Sequence, residues 1–115
     1  ANQNSPESLR AATVGEFYDI IIDDGGHSMR QQQNTLAALW DRLRPCGAFV
    51  VEDLHTSNFP GSQWDDYRPT TLDVITGEAP SGLVDFAWIA AGAESVELFR
   101  PNDLKHITAV IQKRC

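Results

Sequence analysis

Two short apolar runs flank one amphipathic segment in the first half of the chain, and this pattern constrains the fold most. Residues 17–22 (FYDIII), apart from Asp19, and residues 48–51 (AFVV) are apolar without alternation, which predicts strands buried on both faces of a sheet. Residues 28–43 carry apolar side chains at helical spacing, begin at Ser28 in capping-box spacing with Gln31, and stop before Pro45. A strand, a helix and a strand predict a right-handed crossover between two parallel strands.

The rest of the chain predicts an α/β domain that spans residues 1–115 as one unit. The predicted elements are short helices over 5–12 and around 70–77, a surface loop over 58–68, and strands over 95–99 and 106–112. The spacer RPNDLK between the last two strands suits an antiparallel pair. The expected fold class is therefore a partial Rossmann-like sheet, in which a parallel strand-helix-strand unit is followed by a C-terminal antiparallel strand pair.

Size and charge exclude several classes of protein. A chain of 115 residues can bury one hydrophobic core. Nine basic residues against sixteen acidic ones give a net charge of −7, so no basic surface is expected for nucleic acid. No stretch approaches the roughly 20 apolar residues of a membrane span, and we expect a soluble, cytoplasmic protein. Cys46 and Cys115 lie far apart in sequence, and we expect free thiols in a reducing compartment.

Both predicted parallel strands are followed by acidic residues. Asp23 and Asp24 follow the first apolar run, and Glu52 and Asp53 follow the second. Since the carboxyl ends of adjacent parallel strands share one edge of a sheet, we expect these four carboxylates to converge in a ligand-binding crevice. Close carboxylates repel unless a cation is present, and oxygen ligands favour a hard divalent ion, Mg²⁺ before Ca²⁺. The alternative is that they are ordinary polar residues at strand ends.

Three histidines and several aromatic residues accompany these acids. His27 follows a pair of glycines, Gly25 and Gly26, that allow a sharp turn, and it is the candidate general base. The candidate substrate-binding residues are His55, Trp64 and Tyr67. The histidines could instead be structural, and Trp64 and Tyr67, with Phe59, could serve only to fix the loop. His106 falls within a predicted strand and Trp40 within a helical pattern, and both are expected to be structural.

Residues 17–57, FYDIIIDDGGHSMRQQQNTLAALWDRLRPCGAFVVEDLHTS, resemble one segment of the class I S-adenosylmethionine-dependent methyltransferases. The resemblance is closest to the metal-dependent macrolide-sugar O-methyltransferases, over the fourth to fifth strands of their sheet. It implies that Asp24, Glu52 and Asp53 bind the metal, and that His27 takes a proton from a hydroxyl group of a small-molecule acceptor. It places Asp23 nearer the methyl donor.

The chain departs from this family at two positions of the matched segment and in two motifs that it lacks. Gly26 stands where the family has Ser, and Cys46 where it commonly has Gly. The glycine-rich turn and the ribose-binding acid of the family's first half are not found. The chain therefore resembles the C-terminal half of a methyltransferase, with S-adenosylmethionine binding only if the missing half is supplied, and weak or no activity alone.

The family's sheet order leaves the first predicted strand of this chain, YDIII, as an exposed edge. A bare apolar edge favours pairing with a second chain, so a homo-oligomer is expected. Two other functions stay open at this point. One is a non-enzymatic assembly or binding module in which the acids are a relic, and the other is a small hydrolase in which His27 and His55 favour Zn²⁺.

Overall fold

The computed structural model describes residues 3–78, 82–84, 86–100 and 106–115. The helices are α1 (Pro6–Ala12), α2 (Met29–Leu39), α3 (Thr71–Thr76) and α4 (Phe86–Gly92). The strands are β1 (Tyr18–Asp23), β2 (Leu43–Val51), β3 (Ala93–Phe99) and β4 (Thr108–Lys113). Two short 3₁₀ helices, Trp40–Arg42 and Leu54–Asn58, follow α2 and β2. Within these residues, no helix is both long and apolar enough to cross a bilayer.

The four strands form one mixed sheet in the order β1-β2-β4-β3. β1 and β2 are parallel, whereas β4 is antiparallel to both β2 and β3. This confirms the predicted α/β class, with its parallel crossover and its C-terminal antiparallel pair, and β1 is the predicted edge strand. Asp23 pairs with Val51 at the carboxyl ends of β1 and β2, so the residues that follow the two strands begin side by side.

Helix α2 ends before the predicted boundary at residue 43. Its α-helical part stops at Leu39, a 3₁₀ turn follows, and Leu43 already begins β2. Pro45 cannot continue a helix, and it biases the preceding residue toward extended backbone. The Nζ of Lys113 donates to the carbonyl oxygens of Trp40 (3.2 Å) and Leu43 (2.6 Å), which satisfies two carbonyls at this terminus. A residue of β4 thus contacts the backbone that follows α2.

The hydrophobic core covers one face of the sheet. The strand residues in the core cluster include Ile21, Phe49, Val51, Ala109 and Ile111, and helices α2, α3 and α4 all contribute side chains to it. Trp40 is buried and its ring centroid lies 6.5 Å from that of Phe49, which confirms its predicted place in the core.

The opposite face of β1 is exposed, so the prediction of a strand buried on both faces is wrong. Ile20 and Ile22 are 61% and 60% exposed. The reason is that helices α2, α3 and α4 all pack into the core cluster on the other face. Ile22 pairs with Val50, which pairs with Val110, so an apolar row runs across the uncovered face.

The short elements agree with the sequence in most places. Ser5 and Thr70 cap α1 and α3 by accepting backbone N–H groups. Helix α4 was not predicted, and the antiparallel strands lie close to their predicted ranges, although most of the RPNDLK spacer falls outside the described residues. His106 is exposed and precedes β4, which corrects its predicted place within that strand.

Cys46 and Cys115 form a disulfide bond with a Cα–Cα distance of 4.4 Å, so the prediction of free thiols is wrong. Antiparallel pairing of β2 with β4 brings the start of β2 to the last residues of the chain. The amide of Cys46 donates to the carbonyl oxygen of Arg114 at 3.2 Å. Distance along the sequence was therefore no guide to distance in the fold.

Candidate functional site

The carboxyl ends of β1 and β2 bring the two acidic pairs together. Asp23 is the last residue of β1, and the amide of Glu52 donates to its carbonyl oxygen at 3.1 Å. Asp24 and Asp53 come next on their respective strand ends. The expectation that both pairs lie at one edge of the sheet is therefore confirmed at the level of the backbone.

Asp53 has a left-handed backbone conformation, with φ 61° and ψ 32°. A residue with a Cβ seldom adopts this region, and it persists where the surroundings hold it. The carbonyl oxygen of Asp53 accepts from Gln32 Nε2 at 3.1 Å and from the Thr56 amide at 3.3 Å, and the Thr56 hydroxyl oxygen lies 3.0 Å away. These contacts hold the backbone of Asp53 in this conformation.

His27 contacts Asp53 directly. Its Nε2 lies 3.2 Å from Asp53 Oδ2, and its side chain is 39% exposed. The next residue, Ser28, caps α2 by accepting the Gln31 amide at 3.1 Å, so His27 lies immediately before a well-defined helix start. If Nε2–H donates to the carboxylate in the neutral ring, Nδ1 carries the lone pair that can accept a proton.

Asp23 is buried, unlike the neighbouring Asp24. Burial raises the pKa of Asp23 to about 6, hydrogen bonds from the Gly25 amide and the Gln3 side chain oppose this rise, and the charges of Asp24 and Asp53 add to it. Its Oδ2 atom has no hydrogen-bond partner in the part of the chain that the structure describes. Asp23 is thus a buried carboxyl with incomplete hydrogen bonding beneath the site, rather than an exposed ligand.

Gly25 and Gly26 make room for side chains. The chain bends at Gly25, as expected, although neither glycine has a positive φ. A Cβ on Gly25 would meet Gln3, and a Cβ on Gly26 would meet Gln31. The Gln3 side chain fills the first space, donates to Asp23 and Thr35, and accepts the Gly26 amide at 2.6 Å.

The three predicted metal ligands suit a hard divalent ion in donor chemistry, and their backbone positions lie at one sheet edge. All three are carboxylates at one sheet edge, and both Asp24 and Asp53 lie close enough to raise the pKa of Asp23. As the side chains stand, no group of three His, Cys, Asp or Glu residues among those described is close enough to hold an ion. The carboxylates of Asp24, Glu52 and Asp53 would therefore have to turn inward to bind one.

Five aromatic rings form a continuous row that begins at His27. Ring centroids are 5.9 Å apart for His27–Trp64, 6.1 Å for Trp64–Phe59, 6.3 Å for Phe59–His55 and 5.3 Å for His55–His106. We call these five residues the aromatic row. It brings together two of the three predicted substrate-binding residues, and it adds Phe59 and His106. His27 and His55 are separated by two rings, so no support arises for a zinc site that uses both.

Tyr67 lies outside the aromatic row. Its ring packs under the guanidinium of Arg30, with 5.3 Å from the Arg30 Cζ to the ring centroid. The same loop is tied to the start of α2 by two hydrogen bonds, from the Met29 amide to the Trp64 carbonyl oxygen (3.1 Å) and from the Arg30 amide to Asp66 (3.0 Å). The loop over residues 58–68 is therefore fixed beside His27.

Buried polar residues beneath the site were missed by sequence reasoning. Gln32 and Thr56 are both 1% exposed, and they contact the backbone of the site residues. The available signal was their polarity at positions that the helical pattern and the strand end predict to be buried. Polarity alone does not tell which backbone group such a side chain will contact.

Comparisons with known proteins point to sugar O-methyltransferases. No family model matches the chain. It is 42% identical over 79 residues to 8-demethyl-8-alpha-L-rhamnosyl tetracenomycin-C 2'-O-methyltransferase of Streptomyces olivaceus, over 65% of this chain and 21% of that protein. It is 44% identical over 86 residues to demethylmacrocin O-methyltransferase of Streptomyces fradiae, over 73% of this chain and 21% of that protein. The chain spans about a fifth of the length of these curated relatives.

A solved structure resembles almost the whole chain. The MycE methyltransferase from the mycinamycin biosynthetic pathway, in complex with Mg, SAH and mycinamycin VI, aligns with a TM-score of 0.69 and 27% sequence identity. The alignment covers 99% of this chain and 31% of that one. The described sheet and helices are thus one part of a larger known fold.

Proposed function

The chain is related to the C-terminal part of the magnesium-dependent sugar O-methyltransferases, and from this premise we propose that it forms the metal- and acceptor-binding part of such an enzyme. The observation that carries the proposal is the single sheet edge that holds Asp24, Glu52, Asp53 and His27. There, His27 Nε2 lies 3.2 Å from Asp53 Oδ2. A candidate base and a candidate metal ligand are thereby held in one arrangement.

Each site residue has a role in this proposal. Asp24, Glu52 and Asp53 bind Mg²⁺, and the bound ion would orient the acceptor's hydroxyl group and lower its pKa. His27 accepts the proton that this hydroxyl releases as its oxygen is methylated. Asp53 also orients the imidazole through its contact with Nε2. Asp23 lies beneath this group, on the side that we assign to the methyl donor.

S-adenosylmethionine is the proposed methyl donor, and the 115 residues supply only part of its site. The glycine-rich turn that binds such cofactors in α/β folds is not found in this sequence. The relatives are about five times longer than their matched segments, which supports a donor site built largely from other residues. We therefore expect weak transfer activity, or none, from this chain alone.

The aromatic row is the proposed surface for the acceptor. Phe59 is 49% exposed and Trp64 packs against His27, so an acceptor hydroxyl at His27 would place the rest of its molecule along these rings. Aromatic faces suit the apolar C–H surface of a small-molecule acceptor. We assign His55 and Trp64 to direct contact, and Tyr67 to the periphery, where it pairs with Arg30.

Self-association through β1 is proposed as well. β1 pairs only with β2 among the described strands, so its outer edge is open to a second copy. Ile20 and Ile22 expose further apolar surface on the same strand. This feature also favours a second candidate function, a self-assembling module in which the acids are not used.

A cytoplasmic location is proposed from the biosynthetic activity of the relatives. In a reducing compartment the Cys46–Cys115 bond would be open. Both thiols should then react with an alkylating agent in freshly lysed cells, whereas protection of both thiols would contradict this location.

Calorimetric titration tests the proposed function. We expect Mg²⁺ to bind saturably with one ion per chain, and S-adenosylmethionine to show no micromolar binding with or without Mg²⁺. Absence of Mg²⁺ binding would contradict the metal site and favour the assembly module. Micromolar binding of S-adenosylmethionine would overturn the view that most of the donor site lies outside this chain.

A further inference from the structure

Thr56 lies directly beneath the candidate site and is 1% exposed. Its Oγ1 is 2.7 Å from the carbonyl oxygen of His27 and 3.0 Å from that of Asp53. A hydroxyl has a single proton, and the shorter distance favours donation to His27. Gln32 Nε2 lies 3.4 Å from the same Oγ1 and 3.1 Å from the Asp53 carbonyl oxygen, so it can donate to both.

These bonds join two separate parts of the backbone. His27 belongs to the connection between β1 and α2, whereas Asp53 follows β2. The connectivity of the chain alone does not hold these two side chains 3.2 Å apart. Thr56 lies three residues after Asp53, and its hydroxyl reaches across to the other connection. The Thr56 amide and Gln32 meanwhile hold the left-handed conformation of Asp53.

We propose that Thr56 is a positioning residue, whose hydroxyl fixes the connection that carries His27 against the connection that carries Asp53. The inference rests on the proposed function for the meaning of these two residues. The link between the two connections does not itself require a metal or a methyl donor. Loss of the hydroxyl leaves the His27 carbonyl without this donor and removes the link, while the core, the sheet and the disulfide stay as they are.

Amide hydrogen exchange of the metal-free chain decides the inference. Thr56→Val keeps the size of the side chain and removes the donor. We expect exchange over residues 24–28 and 52–57 to become about tenfold faster, the effect of one lost buried hydrogen bond. Thr56→Ser should restore the protection. Thr13→Val is the matched control, because Thr13 also donates to a backbone carbonyl, that of Leu9, away from the site.

Two results of the exchange experiment would overturn the inference. One is unchanged exchange over both segments in Thr56→Val. The other is faster exchange that is equal throughout the fold, which indicates only a lower global stability. If Thr56→Val does not fold, Thr56→Ala is measured in the same way, since it places no extra methyl group beside the two carbonyl oxygens.

Titration with Mn²⁺ separates this inference from the proposed function. The wild-type chain should bind Mn²⁺, Thr56→Val should bind it about tenfold more weakly, and Thr56→Ser should match the wild type. A wild-type chain that binds no Mn²⁺ contradicts the proposed function, and the exchange result then decides the role of Thr56 by itself. Equal Mn²⁺ affinity in folded Thr56→Val and in wild type would contradict a positioning role.

Discussion

His27 Nε2 lies 3.2 Å from Asp53 Oδ2, although one residue follows β1 and the other follows β2. The contact requires the parallel register of the two strands, in which Asp23 pairs with Val51. It also requires the left-handed backbone of Asp53. The candidate site is therefore a property of the sheet and of two supported connections, rather than of a single loop.

Asp23→Asn should stabilise the metal-free chain above pH 6. Burial raises the pKa of Asp23 to about 6 from 3.8, so between these values the folded state keeps a proton that the unfolded state has released. The free energy of unfolding therefore falls as the pH rises from about 4 to about 6, by on the order of 2–3 kcal/mol, and stays lower above this range. Asn cannot ionise and avoids this loss.

Urea unfolding in EDTA at pH 4.5 and pH 7.5 measures this effect for Asp23→Asn. Asp19→Asn is the control, because Asp19 lies on the same strand but is exposed. The same pH dependence in wild type and Asp23→Asn would show that Asp23 does not carry the loss of stability.

Substitutions at Asp53 should separate its backbone conformation from its charge. Asn tolerates the left-handed region, whereas Ala does not. We expect the free energy of unfolding of Asp53→Asn to lie within about 0.5 kcal/mol of the wild-type value. That of Asp53→Ala should be lower than that of Asp53→Asn by about 1 kcal/mol. Equilibrium unfolding in EDTA compares the two variants. Equal free energies of unfolding would contradict a left-handed conformation that is less favourable for Ala than for Asn.

The disulfide should contribute a large share of the stability. Its two cysteines are 69 residues apart, and closing a loop of this length is worth about 4 kcal/mol in the chain-entropy model. Cys115→Ser should therefore lower the free energy of unfolding by about this amount, and a reducing agent should do the same to the wild type. A reduced wild type as stable as the oxidised protein would contradict this contribution.

The position of Cys46 refines that experiment. Cys46 has a φ of 70°, a left-handed backbone conformation that favours glycine. Both Cys46→Gly and Cys46→Ser lose the disulfide. The free energy of unfolding of Cys46→Gly should nevertheless be higher than that of Cys46→Ser by about 1 kcal/mol. The reverse order would show that the backbone at this position does not favour glycine.

Lys at positions 20 and 22 should prevent self-association. Ile20 and Ile22 are exposed on the edge strand β1, and charged side chains on such strands oppose pairing with another chain. Light scattering after size-exclusion chromatography should show a wild-type oligomer and a monomeric Ile20→Lys/Ile22→Lys variant. Val14→Lys is the control, since Val14 is exposed outside the sheet, and a monomeric wild type at high concentration would contradict the proposal.

The sequence predicted the crossover and the placement of the acids, because these follow from local patterns. The alternation of apolar runs and a capped helix determines β1, α2 and β2, and the acids follow the strand ends directly. The residues that resemble the methyltransferases supplied the order of the remaining strands. These parts need no knowledge of long-range contacts beyond the pairing of strands.

The rest depends on contacts between distant residues. The contacts of Lys113 with the backbone after α2 and the disulfide both arise from the pairing of β2 with β4. The exposure of Ile20 depends on which face the helices cover. The support of Asp53 by the Thr56 amide and by Gln32 likewise arises only once the connections are in place.

Binding of Mn²⁺, measured from the electron paramagnetic resonance signal of the free ion, tests the central claim most directly. The wild-type chain should bind one Mn²⁺, and Asp24→Asn should abolish that binding without changing the fold, because it removes one of three carboxylate ligands. Asp19→Asn, the exposed control on β1, should bind as the wild type does. No Mn²⁺ binding by the wild type, or equal binding by wild type and Asp24→Asn, would contradict a metal site at this sheet edge.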